Sequence, residues 1–386
     1  MTKVFADAAR REALAVVDLD VVAANFKTLA TASGPAECAA IVKGDGYGLG
    51  MLPEARACWQ AGARRYFVAR FEDGRRLRAE FPDAKIGVLD GLSGWPPSDF
   101  ASADLVPVLG TPDDLRKWFS EKSPGQFMLQ IDTGMNRLGL KPRELAGVAE
   151  LLRAHPKAIA CYLTHFASAD DVDLGFCRQQ VAGFEAAIAP LPPVPRSIVN
   201  SSGLFLGVPE WRADLTRPGK ALAGINPLPP GEPNPVGQVM TVTAPIVQVS
   251  DVARGDSIGY SATFRASRPM RIATLGIGYS NGYLRSLSNR GVVVFNGKRA
   301  NVVGRVSMDL VTVDVTGVAE ADLAAGCAEM LGPTIGLTEL AALAGTNEYE
   351  MQISLGRGCK RVYSGAASES LVGGTGIEPV TPTMSR

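Results

Sequence analysis

The chain has 386 residues, of which 46% are hydrophobic and 20% charged, with Lys+Arg and Asp+Glu both at 39. Zero net charge removes the electrostatic case for nucleic acid or an anionic membrane, so the expected partner is a small molecule. Two histidines, His155 and His165, exclude a histidine-rich metal site, and six scattered cysteines without CxxC pairs read as reduced, buried thiols.

The length suggests two domains, although a barrel of about 250 residues can be one unit. The N-terminus, MTKVFADAARREALA, is charged and has no continuous apolar core, so no secretory signal is expected. No window approaches about 18 uncharged apolar residues, and the expected location is the cytoplasm.

From Leu14 to Pro235 short apolar runs alternate with amphipathic stretches. The candidate strands are 37–43, 64–70, 85–90, 105–109, 126–132, 158–166, 196–200 and 221–227. Between several of them, as in 142–155 and 173–189, apolar residues recur at spacings of three and four. Eight strands with intervening helices predict an α/β fold, a (β/α)8 TIM-type barrel over 13–235. The proline-dense PLPPGEPNP marks a junction. Beyond it, alternating runs at 240–250, 271–279, 292–304 and 308–315, with an Asn296-Gly297 turn, predict an antiparallel β domain over 236–365. The stretch 366–386 has no period and many Gly, Pro, Ser and Thr, as a disordered tail would.

The segment IVKGDGYGLG places Lys43 where an apolar run enters a glycine-rich loop. Such a lysine holds a phosphate, forms a Schiff base or snorkels to solvent. A Walker loop needs the lysine after the glycines, and a Rossmann fingerprint fails because Leu49 stands where its third glycine belongs. On a barrel, the C-terminal strand end is the catalytic face. The triplet Asp132-Thr133-Gly134 has no second copy, so aspartic-protease chemistry is excluded. Its loop carries Arg137, either a carboxylate fork or a surface arginine in a tight turn. His165 in YLTHFASAD is a catalyst or a satisfied core residue, and Asn200-Ser201-Ser202-Gly203 suits a phosphate or a helix cap. Arg217-Pro218-Gly219 leads into the last candidate strand, while Tyr260 and Tyr279 lie beside glycines, where tyrosine also plugs sheet edges.

Taken in order, VKGDGYGLG, DTGMNRLG, THFASAD, NS, RPG, the GYSATF and GYSNGY pair and the Met308-Asp309 motif resemble the alanine racemase family of pyridoxal-phosphate enzymes, over about residues 13–365. The resemblance implies a barrel followed by a β domain, with an N-terminal strand near 13–20 joining the latter. It implies a homodimeric isomerase that interconverts L- and D-alanine and supplies D-alanine for peptidoglycan of the cell wall. Lys43 then forms the Schiff base with pyridoxal 5'-phosphate, its flanking glycines letting the backbone turn away. Tyr47 and Ser201 match phosphate ligands, joined by the backbone N–H groups of Gly219 and Lys220, and Arg217 matches the arginine facing the pyridine nitrogen.

Racemisation removes a proton from one face of Cα and delivers one to the other, most simply with two bases. By resemblance Lys43 serves one face and Tyr260, from the second subunit, the other. A tyrosine, with a reference pKa of about 10, is a poor base unless its phenolate is stabilised. His165, hydrogen-bonded to Tyr260 and in turn to Arg217, supplies that link. Arg137 and the backbone of Met308 grip the substrate carboxylate, and Tyr279 narrows the entrance. No metal is implied.

Three departures bear on cofactor affinity and substrate selectivity. Gln130 stands where many members carry a lysine, Ser197 replaces a frequent histidine, and Leu355 replaces a tyrosine of some members. The alternatives are a broad-specificity amino-acid racemase, a non-catalytic pyridoxal-phosphate carrier, which lacks the β domain, and a related decarboxylase, against which the GYSATF arrangement argues.

Overall fold

A computed structural model describes residues 11–121, 125–171, 173–229 and 231–366. The predicted tail, 366–386, lies outside the described residues except at its first position. Contacts divide the chain into two units. Among the described residues, one comprises Val22–Gly46 and Glu54–Gly237; the other comprises 11–21, Tyr47–Pro53 and 238–366.

The first unit is the predicted barrel. Seven strands pair in parallel and in chain order: Ala40–Ile41, Arg65–Val68, Lys85–Val88, Val106–Leu109, Phe127–Gln130, Ile159–Leu163 and Arg196–Ser197. Their side chains are almost all buried, as parallel strands covered on both faces require. The ring closes differently from the sequence expectation. Residues 221–227 form no strand; the eighth strand is Leu215–Thr216, paired in parallel with Glu37–Cys38. The amides of Ala39 and Ile41 donate to the carbonyls of Thr216 and Pro218, and Arg217 N–H donates to Val199 O, so this short strand joins both edges. The apolar run Ala221–Ile225 is buried as a turn rather than as a strand, which is why hydrophobicity alone misplaced the closure.

Helices cover the outside of the barrel. Phe71–Glu80 buries Phe71, Gly74 and Leu77, and Pro112–Ser120 starts at Thr111, whose hydroxyl accepts Asp114 N–H as an N-cap. Gly175–Ile188 buries Cys177, Gln180, Phe184 and Ile188, one stripe at spacings of three and four.

In the second unit, the long strand Met240–Val252 is the hub. It pairs antiparallel with Leu14–Asp18, Met270–Leu275 and Cys327–Leu331, and Leu14–Asp18 pairs in parallel with Lys360–Ser364. The strand expected near 13–20 is therefore in this sheet. The Asn296-Gly297 turn joins Val292–Phe295 to Lys298–Asn301 with φ of 46° and 80°, the left-handed pair that a two-residue hairpin needs. All six cysteines are free thiols, four of them buried. Among the described residues no helix is long and apolar enough to cross a membrane.

Candidate active site

In the barrel unit Lys43 follows the strand Ala40–Ile41 and opens a left-handed turn. Gly44, Asp45 and Gly46 have φ of 68°, 59° and 64°, and Gly46 N–H donates to Val42 O. Two of these three positions are glycine, for which such angles carry no steric penalty. Burial lowers the pKa of the Lys43 amine; the Arg137 charge lowers it further, Asp90 opposes, and Arg217 adds a smaller push downward. An amine held this way spends more time neutral, and so nucleophilic and basic, than a surface lysine does.

Arg217 follows the closing strand directly. Its side chain is buried, and its guanidinium donates to Ser197 Oγ and to the carbonyl of Thr164. Burial brings its pKa down to about 10, so it remains a cation at neutral pH. Ser197 passes the contact on by donating to Leu215 O. The serine that departs from the frequent histidine thus accepts a bond from a buried cation, a role that its sequence did not announce.

His165 follows the strand Ile159–Leu163. Burial first, then the charges of Arg217, Arg137 and Lys43, push its imidazole down to about 3, so the ring is neutral. The expected hydrogen bond between His165 and Arg217 is not formed among the described residues; the bonds of the guanidinium go to Ser197 and Thr164. The two side chains are coupled through their charges instead.

Arg137 sits exposed on the loop after Phe127–Gln130. That loop is tied by Asp132 Oδ1, which accepts the N–H groups of Gly134 and Asn136, both at 3.0 Å. Gln130 Nε2 donates to Leu138 O at 3.0 Å, so the amide standing at the family's lysine position grips the backbone beside Arg137. A cavity of about 210 Å³ adjoins the loop, lined among others by Asp90, Asp114, Gln130, Arg137 and Lys141.

Ser201 is buried, and its hydroxyl accepts the N–H groups of Gly219 at 2.9 Å and Ala221 at 3.2 Å. Lys220 lies between those two residues, and its Nζ is 3.7 Å from Asp170 Oδ2. With its oxygen accepting both amides, the Ser201 hydroxyl keeps its O–H as a donor suited to a phosphate. With the amine of Lys43 and a buried, permanently charged Arg217, the groups on the barrel fit pyridoxal 5'-phosphate.

The remaining predicted residues belong to the β unit. Tyr47 is buried; its carbonyl accepts Gln352 Nε2 at 3.3 Å and its ring lies 6.2 Å from that of Tyr349. Tyr279 and Met308 come together: Tyr279 N–H donates to Ser307 O and Ser280 N–H to Met308 O. A Cβ at Gly278 would lie 2.2 Å from Met308 O, so only glycine allows that approach. Tyr260, in a turn after Gly259, is 71% exposed, and Leu355 is buried.

Residues 17–227 match the alanine racemase N-terminal domain and residues 239–363 the alanine racemase C-terminal domain. The chain belongs to the alanine racemase family. It is 42% identical over 356 residues to an alanine racemase of Acidiphilium cryptum, covering 90% of this chain and 97% of that one. It is 39% identical to one from Methylobacterium sp. strain 4-46, with 90% and 96% covered. Among solved structures it is similar to an alanine racemase of Bartonella henselae with covalently bound pyridoxal phosphate, at a TM-score of 0.87 and 35% identity, covering 92% of this chain and 99% of the other.

Sequence reading missed three contributions: the charge of Asp90, which opposes the fall in the Lys43 pKa; Asp170, paired with Lys220; and the bond by which Ser197 holds Arg217. Asp90 ends the run KIGVLD at the same barrel face as Lys43, so the strand-end rule applied to Lys43 would have found it. The others act through partners remote in sequence, which no local pattern reveals.

Proposed function

We propose that this chain is an alanine racemase that interconverts L- and D-alanine with pyridoxal 5'-phosphate, with Lys43 and Tyr260 as its opposed bases. The observation that carries the reading is the amine of Lys43, drawn toward neutrality by burial and by the nearby charge of Arg137, on a chain that matches both domains of the family.

The cofactor, when bound, supplies an electron sink conjugated to the substrate nitrogen, which makes the Cα–H acidic. Lys43 is the residue that would hold it covalently and, once released, take or return the proton on one face of Cα. Ser201, the amides of Gly219 and Lys220, and Tyr47 would hold the phosphate. Arg217, whose charge Ser197 and the Thr164 carbonyl fix in place, would face the pyridine nitrogen. Arg137 and the Met308 backbone would bind the substrate carboxylate, and Tyr279 would narrow the entrance.

The second face requires a phenol, which Tyr260 of a second copy would supply, making the working unit a homodimer with shared sites. What supports this is the exposure of Tyr260, Tyr279, Met308 and Leu310, four large apolar groups on the β unit. A phenol in bulk water is a weak base, and cover by a second subunit would change its surroundings. His165, neutral, is then able to accept a hydrogen bond from Tyr260 or donate one to its phenolate. The free cysteines suit the reducing cytoplasm, where D-alanine would serve peptidoglycan synthesis.

Purified protein with added cofactor, incubated separately with L-alanine, L-serine and L-lysine and analysed by chiral chromatography, tests the reading. D-alanine should form fastest. Equal rates on all three would favour a broad-specificity racemase, and no D-product from any would leave a non-catalytic cofactor binder.

A further inference from the structure

We propose that Gln180 is a positioning residue of this site, whose one amide fixes the backbone around His165 and, through Thr133, the start of the Arg137 loop. The inference rests on the racemase reading for its kinetic consequences, though not for its geometry.

Gln180 lies in Gly175–Ile188, on the buried stripe formed with Cys177, Phe184 and Ile188. It has no solvent exposure. A primary amide buried among apolar neighbours is destabilising unless its hydrogen-bonding groups find partners. Here they do: Oε1 accepts Ala167 N–H at 3.0 Å, and Nε2 donates to His165 O at 3.0 Å and to Thr133 Oγ1 at 3.3 Å. Only one orientation of the amide satisfies this set, because Ala167 offers a donor and His165 an acceptor. The bonds to residues 165 and 167 clamp the peptides on either side of Phe166, itself buried.

The third bond leads further. Thr133 Oγ1 lies 2.7 Å from Thr164 Oγ1, and the carbonyl of Thr164 accepts from the Arg217 guanidinium. Thr133 also sits between Asp132 and Gly134, where the turn that presents Arg137 begins. Gln180 therefore joins the segments bearing His165 and Arg137 directly, and that bearing Arg217 through Thr164, without offering a group to substrate or cofactor. Glutamate would keep the shape but set a second acceptor against His165 O; leucine would remove all three bonds at similar volume.

Because the chain has only two histidines, one spectrum reads the geometry directly. In holoprotein labelled at histidine, Gln180→Leu and Gln180→Glu should shift the imidazole signals of His165. Those of His155, whose Nδ1 contacts Leu151 O on another helix, should stay in place. This readout needs no racemase activity. In steady-state assays with L-alanine, Gln180→Leu should lower kcat about 10- to 100-fold, the order expected when reacting groups are displaced by up to an ångström. Thr133→Val, which cuts the arm toward Arg137 together with the hydroxyl bond to Thr164 but leaves the clamp on residues 165 and 167, should raise KM more than it lowers kcat. The double variant should raise KM by less than the product of the two single effects, because the two substitutions remove one shared bond. An unmoved His165 signal, or kcat and KM within twofold of the parent in a folded Gln180→Leu protein, would overturn the proposal. If the parent itself yields no D-alanine, the functional reading fails, and the spectrum still decides the role of Gln180.

Discussion

Glu54 lies in the helix Met51–Gln60, just after the Lys43 turn, and its side chain has no solvent exposure. Neither carboxyl oxygen has a hydrogen-bond partner. Burial, and then the neighbouring charge of Asp45, raise its pKa well above the ordinary 4.5. The folded chain consequently keeps a proton that the unfolded chain releases, and this group's effect on stability grows less favourable as pH rises from 4.5 toward the raised value. Each pH unit in that interval removes about 1.4 kcal/mol. For domains of this size that is roughly 3 to 6 °C in Tm per unit. Glu54→Gln preserves the volume and removes the titration. Melts of parent and variant holoprotein at pH 5.5 and 6.5, at one scan rate, should show the variant gaining on the parent between the two. A difference in Tm that stays constant across the interval would mean that the carboxyl titrates at its ordinary value, and the enclosed, unpartnered geometry would be refuted.

Three further substitutions probe the site. Lys43→Ala should abolish the Schiff-base absorbance band of the bound cofactor together with activity, and a retained band would remove the cofactor assignment. Tyr260→Phe should keep that band while kcat falls by about 10²- to 10⁴-fold, the usual contribution of a positioned proton-transfer group; full activity would end the two-base scheme. Ser197→Ala takes one acceptor from the buried guanidinium of Arg217 and should cost about 1 to 3 kcal/mol in denaturant unfolding, with unchanged stability as the contrary result.

Much of this was legible in the sequence because barrels and hairpins write themselves locally. Lys43 and His165 each follow an apolar run, and the rule that barrel chemistry sits at C-terminal strand ends selects both. Asn296-Gly297 announces its hairpin by backbone preference alone. The closing strand was not legible. Leu215–Thr216 is two residues long, too short to show a period, and its place is set by pairing with Glu37–Cys38 far away in sequence. The apolar Ala221–Ile225 mimics a strand because a turn buried beside Ser201 needs the same hydrophobicity.

Arg217 shows why such a site resists local reading. A guanidinium buried without partners is strongly destabilising, so its partners must be supplied by the fold. Here they are neutral: a hydroxyl from Arg196–Ser197 and a carbonyl from the end of Ile159–Leu163. A carboxylate in either place would neutralise the cation and weaken its effect on neighbours. Neutral acceptors satisfy its hydrogen bonds and leave its field intact, and that field helps to hold both Lys43 and His165 toward their uncharged forms. Ser197 lies in a two-residue strand and Thr164 just after another; what makes them matter is the charge they support without cancelling.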